Sequence, residues 1–76
     1  MENYNRIAWE SCELGQDVYT YHFGEQKMVL FGKVVHLEAN EDGFHIHINH
    51  IKSGHVVKMF KAKDYGVEET ALYELA

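Results

Sequence analysis

Residues 28–51 of the chain read MVLFGKVVHLEANEDGFHIHINHI, two apolar-rich stretches around a run of turn-forming residues. Asn40 to Gly43 supply the turn, because Asn and Asp favour turns and Gly43 is free to adopt a positive φ angle. A four-residue loop here predicts a β-hairpin whose facing residues are apolar on both strands. The predicted apolar pairs are Ala39 with Phe44, Leu37 with Ile46, and Val35 with Ile48.

The same register gathers polar side chains on the other face of the hairpin. It places Glu38 opposite His45 and His36 opposite His47, and it also pairs Val34 with Asn49. Directly opposed residues of antiparallel strands have Cβ atoms about 5 Å apart. We therefore expect the three histidines and Glu38 to lie close together on one face.

Further strands flank this hairpin. Residues 17–23 alternate, and the aromatic side of the alternation (Tyr19, Tyr21 and Phe23) is interpreted as a core stripe. Gly32 lies in the middle of the long strand 27–39, and a glycine there predicts a bulge or a sharp bend. A strand over residues 55–62 is expected to follow a turn at 52–55. Its predicted pairs are Ile48 with Met59, His47 with Phe60, and Asn49 with Lys58.

The two ends of the chain are ambiguous in pattern. Asn5 is a suitable cap for a helix over residues 6–14, although the same residues fit a strand with Ile7 and Trp9 on one side. Residues 67–75 have helical apolar spacing and are predicted as a helix, with a closing strand over 71–75 as the alternative. Trp9 is interpreted as a lid on a small core, or alternatively as a recognition anchor.

These elements predict a single small domain over residues 1–76 that is mostly β. We expect a small antiparallel β-barrel or bent sheet of four or five strands, with short terminal helical segments. In size and strand spacing it is similar to SH3-like and OB-like barrels.

Composition excludes several classes of function. The net charge of −5 disfavours general nucleic-acid binding, which requires an excess of Lys and Arg. No apolar run approaches the roughly 20 residues that span a bilayer, and the first residues lack the features of a signal peptide. The single cysteine, Cys12, fits a reducing cytoplasm. No cofactor or phosphate-loop motif is present, so we expect a cytoplasmic protein that is not an enzyme.

These features favour a small acidic, stand-alone module that binds a protein partner as an inhibitor, adaptor or regulator, of a kind that bacterial and phage genomes supply. An acidic or aromatic surface would occlude a basic or groove-like site of the partner, and the acidic ends of the chain would contribute. An exposed edge strand offers a second mode of binding, including a homodimer. No cofactor is expected. The predicted partner-binding residues are Trp9, His36, Glu38, His45, His47, Asn49 and Phe60.

Two alternatives from other classes stay open. Three histidines on one sheet face (His36, His45 and His47) are a ligand set that zinc accepts, which predicts a zinc-binding domain. Aromatic residues 19, 21, 23 and 60, with the lysines of residues 52–63, are typical of a barrel that binds single-stranded nucleic acid. A cluster of histidines also predicts sensitivity to pH near 6.5.

Overall fold

A computed structural model describes residues 3–63 and 70–76 of the chain. Its described part consists of six β-strands and one short 3₁₀ helix at Trp9–Ser11, with no α-helix. The strands are β1 (Tyr4–Ile7), β2 (Asp17–His22), β3 (Lys27–Ala39), β4 (Gly43–His50), β5 (Val56–Ala62) and β6 (Leu72–Leu75).

The strands form one antiparallel sheet in the order β1-β6-β2-β3-β4-β5. Within the described residues, β1 and β5 are its two edges and do not pair with each other. The prediction of a mostly β domain is therefore confirmed, but a closed barrel and a count of four or five strands are wrong. Both terminal segments contribute strands, which adds to the predicted number.

The central hairpin has the predicted register next to its turn. Ala39 pairs with Phe44, Leu37 with Ile46, Glu38 with His45 and His36 with His47. The turn is closed by the Asn40 side chain, whose Oδ1 accepts hydrogen bonds from the backbone N–H groups of Asp42 and Gly43 at 2.9 and 3.1 Å. This is the local hydrogen bonding for which Asn is favoured in turns.

Beyond His36 the predicted register is wrong, because β3 bulges at Val35. Val34 pairs with Ile48 and Lys33 with Asn49, while Val35 has no opposite residue and is 46 % exposed. A bulge adds one residue to one strand and so exchanges the two faces of the sequence beyond it. Val34, at 1 % exposure, consequently takes the core position that was expected for Val35.

The predicted register between β4 and β5 is also wrong, by two residues. Ile48 pairs with Val57, His47 with Lys58 and His45 with Phe60. The loop lies at 51–54 rather than 52–55, because the backbone N–H of His50 donates to the carbonyl of His55 at 2.9 Å. A shift of two residues keeps every side chain on its predicted face and changes only the facing partner.

The core lies on the face of the sheet opposite the histidines. Trp9 closes it as a fully buried lid, with its indole N–H donating to the Thr70 carbonyl at 3.0 Å. The interpretation of Tyr19, Tyr21 and Phe23 as a core stripe is wrong, because the core takes the other side of β2. The buried apolar residues are Trp9, Cys12, Val18, Val34, Ile46, Ile48 and Leu72.

Both terminal segments differ from the first-choice predictions. The strand β1 and the 3₁₀ helix replace the helix predicted over 6–14, and β6 replaces the end of the helix predicted over 67–75, as the alternative of a closing strand over 71–75 predicts. The rest of that second prediction falls partly on residues 67–69, which lie outside the described residues. Pairing of β1 with β6 along all four residues explains the preference, because each end supplies the hydrogen-bonding partner of the other.

Gly32 has a steric function in the sheet. A Cβ atom at this position would overlap the carbonyl oxygen of Asn49 and press on the side chain of Ile48. The register between β2 and β3 shifts beside it, since Val18 pairs with Gly32 and Tyr19 pairs with Leu30. The predicted irregularity at this glycine is confirmed.

Candidate functional site

The outer face of β3, β4 and β5 carries a compact group of six side chains, which we call the histidine face. They form two rows across the three strands. Glu38, His45 and Phe60 form one row, and His36, His47 and Lys58 form the next. Pairing aligns the rows because directly opposed residues of antiparallel strands project from the same side of the sheet.

Each row is held together by a ring contact. The rings of His36 and His47 lie 4.7 Å apart between centroids with an interplanar angle of 35°. The rings of His45 and Phe60 have the same separation and an angle of 42°. Three histidines and a phenylalanine thus form two ring pairs, one in each row, on the outside of the sheet.

Glu38 is the acidic group of this face and is held by two neighbours. Its Oε1 lies 3.4 Å from Nε2 of His36, and its Oε2 accepts a hydrogen bond from Nδ2 of Asn40 at 3.3 Å. These interactions, the one with His36 first, hold the pKa of Glu38 below its usual value. The carboxylate is therefore charged across the neutral pH range, and it partly offsets the positive charge of Lys58.

His47 lies at the centre of the histidine face. Burial among its neighbours lowers the pKa of His47, and the nearby His36 and Lys58 lower it further, while Glu38 opposes them. The side chain is thus kept neutral at pH values where an isolated imidazole begins to gain a proton. An acidic group brought against this face from outside would reverse that preference.

The face is open to solvent at its rim. The side chains of His36 and Glu38 are 47 % and 53 % exposed, and Phe60 is 39 % exposed. A third row continues the surface through Lys33, Asn49 and Val56. Asn49 therefore adjoins the histidine face, as the sequence predicts.

Trp9 is the predicted partner-binding residue that lies elsewhere. Its side chain has no exposed surface and packs in the core on the opposite side of the sheet. Trp9 therefore does not belong to the candidate surface. Lys58 and Val56 take part instead, and the two-residue error in the β5 register explains why sequence reasoning placed Lys58 beside Asn49 rather than His47.

The three predicted zinc ligands share the face but do not converge. His36 and His47 are in ring contact, whereas His45 lies against Phe60. Within residues 3–63 and 70–76, no group of three or more His, Cys, Asp or Glu side chains is arranged to hold a metal ion. The zinc hypothesis stays a prediction.

The predicted nucleic-acid platform is divided between two distant parts of the sheet. Tyr21 pairs with Met28, whereas Phe60 lies in the row of Glu38, roughly 30 Å further along β3 at about 3.3 Å per residue. Phe23, 83 % exposed, packs edge-on against Tyr21 near the turn between β2 and β3. This exposed aromatic pair is a surface that sequence reasoning assigned to the core.

Several acidic residues near the chain ends are already engaged within the molecule. Glu10 forms an ion pair with Lys61, and this hydrogen bond lowers the pKa of Glu10. Asp17 pairs with Lys33 at 3.1 Å, and Glu74 accepts a hydrogen bond from the Gln16 amide at 3.0 Å. The two ion pairs offset part of the acidic charge near the chain ends, while Glu10 and Asp17 remain about half exposed.

Comparisons with known proteins give no relative for this chain. No family model matches it, and neither a curated protein nor a solved structure is significantly similar. Across the described ranges, no helix combines the length and apolarity needed to cross a bilayer. The inference of function therefore rests on the histidine face.

Proposed function

We propose that this domain is a protein-binding module whose histidine face docks on an acidic surface of a partner protein and occludes it. The observation that carries the proposal is the alignment of three histidines, Lys58 and Phe60 in two adjoining rows on the outside of the sheet. An aromatic ring surrounded by polar groups is a typical centre of a protein interface.

Protonation of its histidines would make the face favour an acidic partner. Lys58 and Glu38 balance each other, so each proton gained by a histidine makes the surface more positive. A partner carboxylate would favour the charged imidazole and pair with it. Because the pKa of His47 is lowered in the free protein, binding should take up a proton there and strengthen as the pH falls from about 6.5 toward that lowered value.

Nuclear magnetic resonance with a short poly-glutamate peptide as the probe tests where an acidic chain binds. We expect amide shifts concentrated on β4 and β5, larger at the lower pH. His47→Gln should reduce the shifts, because the central imidazole is removed while a polar side chain is kept. Shifts confined to the chain ends, or to the β2–β3 turn, would contradict the proposal.

A matched pair of substitutions, compared in affinity capture of partner proteins, then tests which of the two exposed aromatic sites binds the partner. Phe60→Ala removes the ring of the histidine face, and Phe23→Ala removes an even more exposed ring at the far turn. Proteins retained by the unmodified domain should be lost with the first variant and kept with the second. The reverse pattern would place the docking surface at the far turn.

The same experiments separate docking from zinc binding. Docking through charge and ring contacts should be unchanged by a chelator, since it uses no metal. The zinc hypothesis instead predicts one zinc per chain in native mass spectrometry, lost in His47→Ala, and binding that a chelator abolishes.

A further inference from the structure

Strand β5 is an open edge of the sheet. Its seven residues pair with β4 without any shift of register, and among the described residues no strand pairs with its other side. The opposite edge, β1, has only four residues. Long regular edges invite a further strand, and proteins usually shorten or disrupt them.

The hydrogen bonds at both ends of the β4–β5 pair show which backbone groups point outward. Lys63 donates its N–H to the carbonyl of Asp42 at 3.0 Å, and His55 accepts the N–H of His50 at 2.9 Å. Backbone direction alternates along a strand, so the odd-numbered residues of β5 bond to β4. The backbone N–H and C=O groups that point away from β4 are therefore those of Val56, Lys58, Phe60 and Ala62.

We propose that the occupant of this edge is a second copy of the chain, added antiparallel through β5 about a two-fold axis at Met59. Lys58 then lies opposite Phe60 of the partner subunit, and Val56 lies opposite Ala62 of the partner subunit. Each outward residue would donate one hydrogen bond and accept one. The two sheets would continue as a single sheet.

The sequence of β5 favours this register over its neighbours. An axis at Lys58 would place the two Lys58 side chains directly opposite each other, which is destabilising. An axis at Phe60 would leave Val56 facing a residue beyond the end of β5. The axis at Met59 pairs all seven residues of both strands and places each lysine against an aromatic ring, a favourable contact for a cation.

This inference goes beyond the proposed function, because it uses the strand edge rather than the outer face. It has a consequence for that face, however. Lys58 and Phe60 project from the histidine face, so the axis would bring the histidine faces of both copies side by side on one surface. A dimer would present twice the docking surface to a partner.

Sedimentation velocity of the full chain, without any partner, tests the dimer over about 1 µM to about 1 mM, a range that covers weak association. Two variants with the same loss of ring area report the register. Phe60→Lys creates two pairs of directly opposed lysines in the dimer, one on each side of the axis. Phe60→Glu instead creates two pairs in which a lysine faces a glutamate. Because both variants lose the same ring contact, the charge pairs decide the difference between them, and we expect the dissociation constant of the first variant to exceed that of the second by about tenfold or more.

A charge reversal keeps the test decisive if a single variant folds poorly. Lys58→Glu combined with Phe60→Lys restores opposite charges across the axis and should restore the dimer, with circular dichroism confirming the fold. A chain that stays monomeric at all concentrations, or two Phe60 variants with the same dissociation constant, would overturn the inference. Neither result bears on the docking of acidic peptides, which is measured separately.

Discussion

Replacement of Trp9 by phenylalanine tests whether this residue belongs to the core or to a binding surface. The indole has no exposed surface, and its N–H donates to the Thr70 carbonyl at 3.0 Å. Loss of the N–H donor leaves the Thr70 carbonyl without this hydrogen bond, which costs about 1–3 kcal/mol of folding free energy. The smaller ring buries less apolar surface, which costs roughly 1 kcal/mol more. We therefore expect the free energy of unfolding to fall by about 2–4 kcal/mol.

A loss of this size is large for a chain of 76 residues. Domains of this length are stable by roughly 4–11 kcal/mol, and each kcal/mol shifts the melting temperature by about 4–8 °C. Because Trp9 is the only tryptophan, urea unfolding should be followed by far-ultraviolet circular dichroism in both proteins. Leu14→Ala, at a residue 66 % exposed, is the control and should change stability by less than about 0.5 kcal/mol.

The outcome separates two functions of the same residue. A recognition anchor could be replaced with little effect on stability and a large loss of binding. A core residue gives the opposite result. If Trp9→Phe lowered the free energy of unfolding by less than about 0.5 kcal/mol, the indole would not fill the core in the way the contacts indicate.

Two further predictions concern the sheet and its acid sensitivity. Gly32→Ala should lower the melting temperature sharply, because its Cβ would overlap the Asn49 carbonyl; Gly24→Ala, which would meet only a side chain, is the control in thermal unfolding. Because the pKa of His47 is lowered in the folded protein, the unfolded chain binds a proton at this residue more tightly. The contribution of His47 to stability is therefore complete above about pH 6.5 and is lost as the pH falls toward the pKa of the folded state. His47→Gln should flatten this part of the stability profile in urea titrations at different pH values, whereas His55→Gln, outside the histidine face, should not.

The half of the hairpin next to the turn could be predicted because two independent signals agree there. Turn chemistry at Asn40 and Gly43 fixes the loop length, and the apolar pairs on both strands fix the face. These signals placed His36, Glu38, His45 and His47 correctly. The positions of the histidines on the candidate surface could therefore be predicted from the sequence.

The bulge was not predictable from the same pattern. Val34 and Val35 are identical neighbours, so apolar alternation cannot indicate which of them is buried. The register of β5 failed for a related reason, since loops at 51–54 and 52–55 keep the same faces. Hydrogen bonds between His50 and Ser53 favour the earlier loop, because the Ser53 hydroxyl lies 3.1 Å from the imidazole and also accepts the N–H of His55.

The buried face of β2 was predicted wrongly because its larger side chains lie on the other face. Tyr19 and Tyr21 have more apolar area than Val18 and Thr20, so the sequence pattern favours them as core residues. The choice is made instead by the rest of the sheet, where Trp9, Ile46, Ile48 and Leu72 already fill the core face and leave room for a small residue such as Val18. Packing volume across strands is a tertiary property, and no local pattern contains it.

The bulge at Val35 links this packing to the candidate function. Without it, Lys33 and Val35 would lie on the core face, and Val34 would join the outer face beside Asn49. With it, Val34 is buried, and Lys33 reaches the outer face, where it pairs with Asp17 at 3.1 Å. One additional residue therefore removes a charge from the core face while His36 keeps its position opposite His47. A short sheet can thus bury a complete apolar face and present polar rows on the other, and the proposed docking uses those rows.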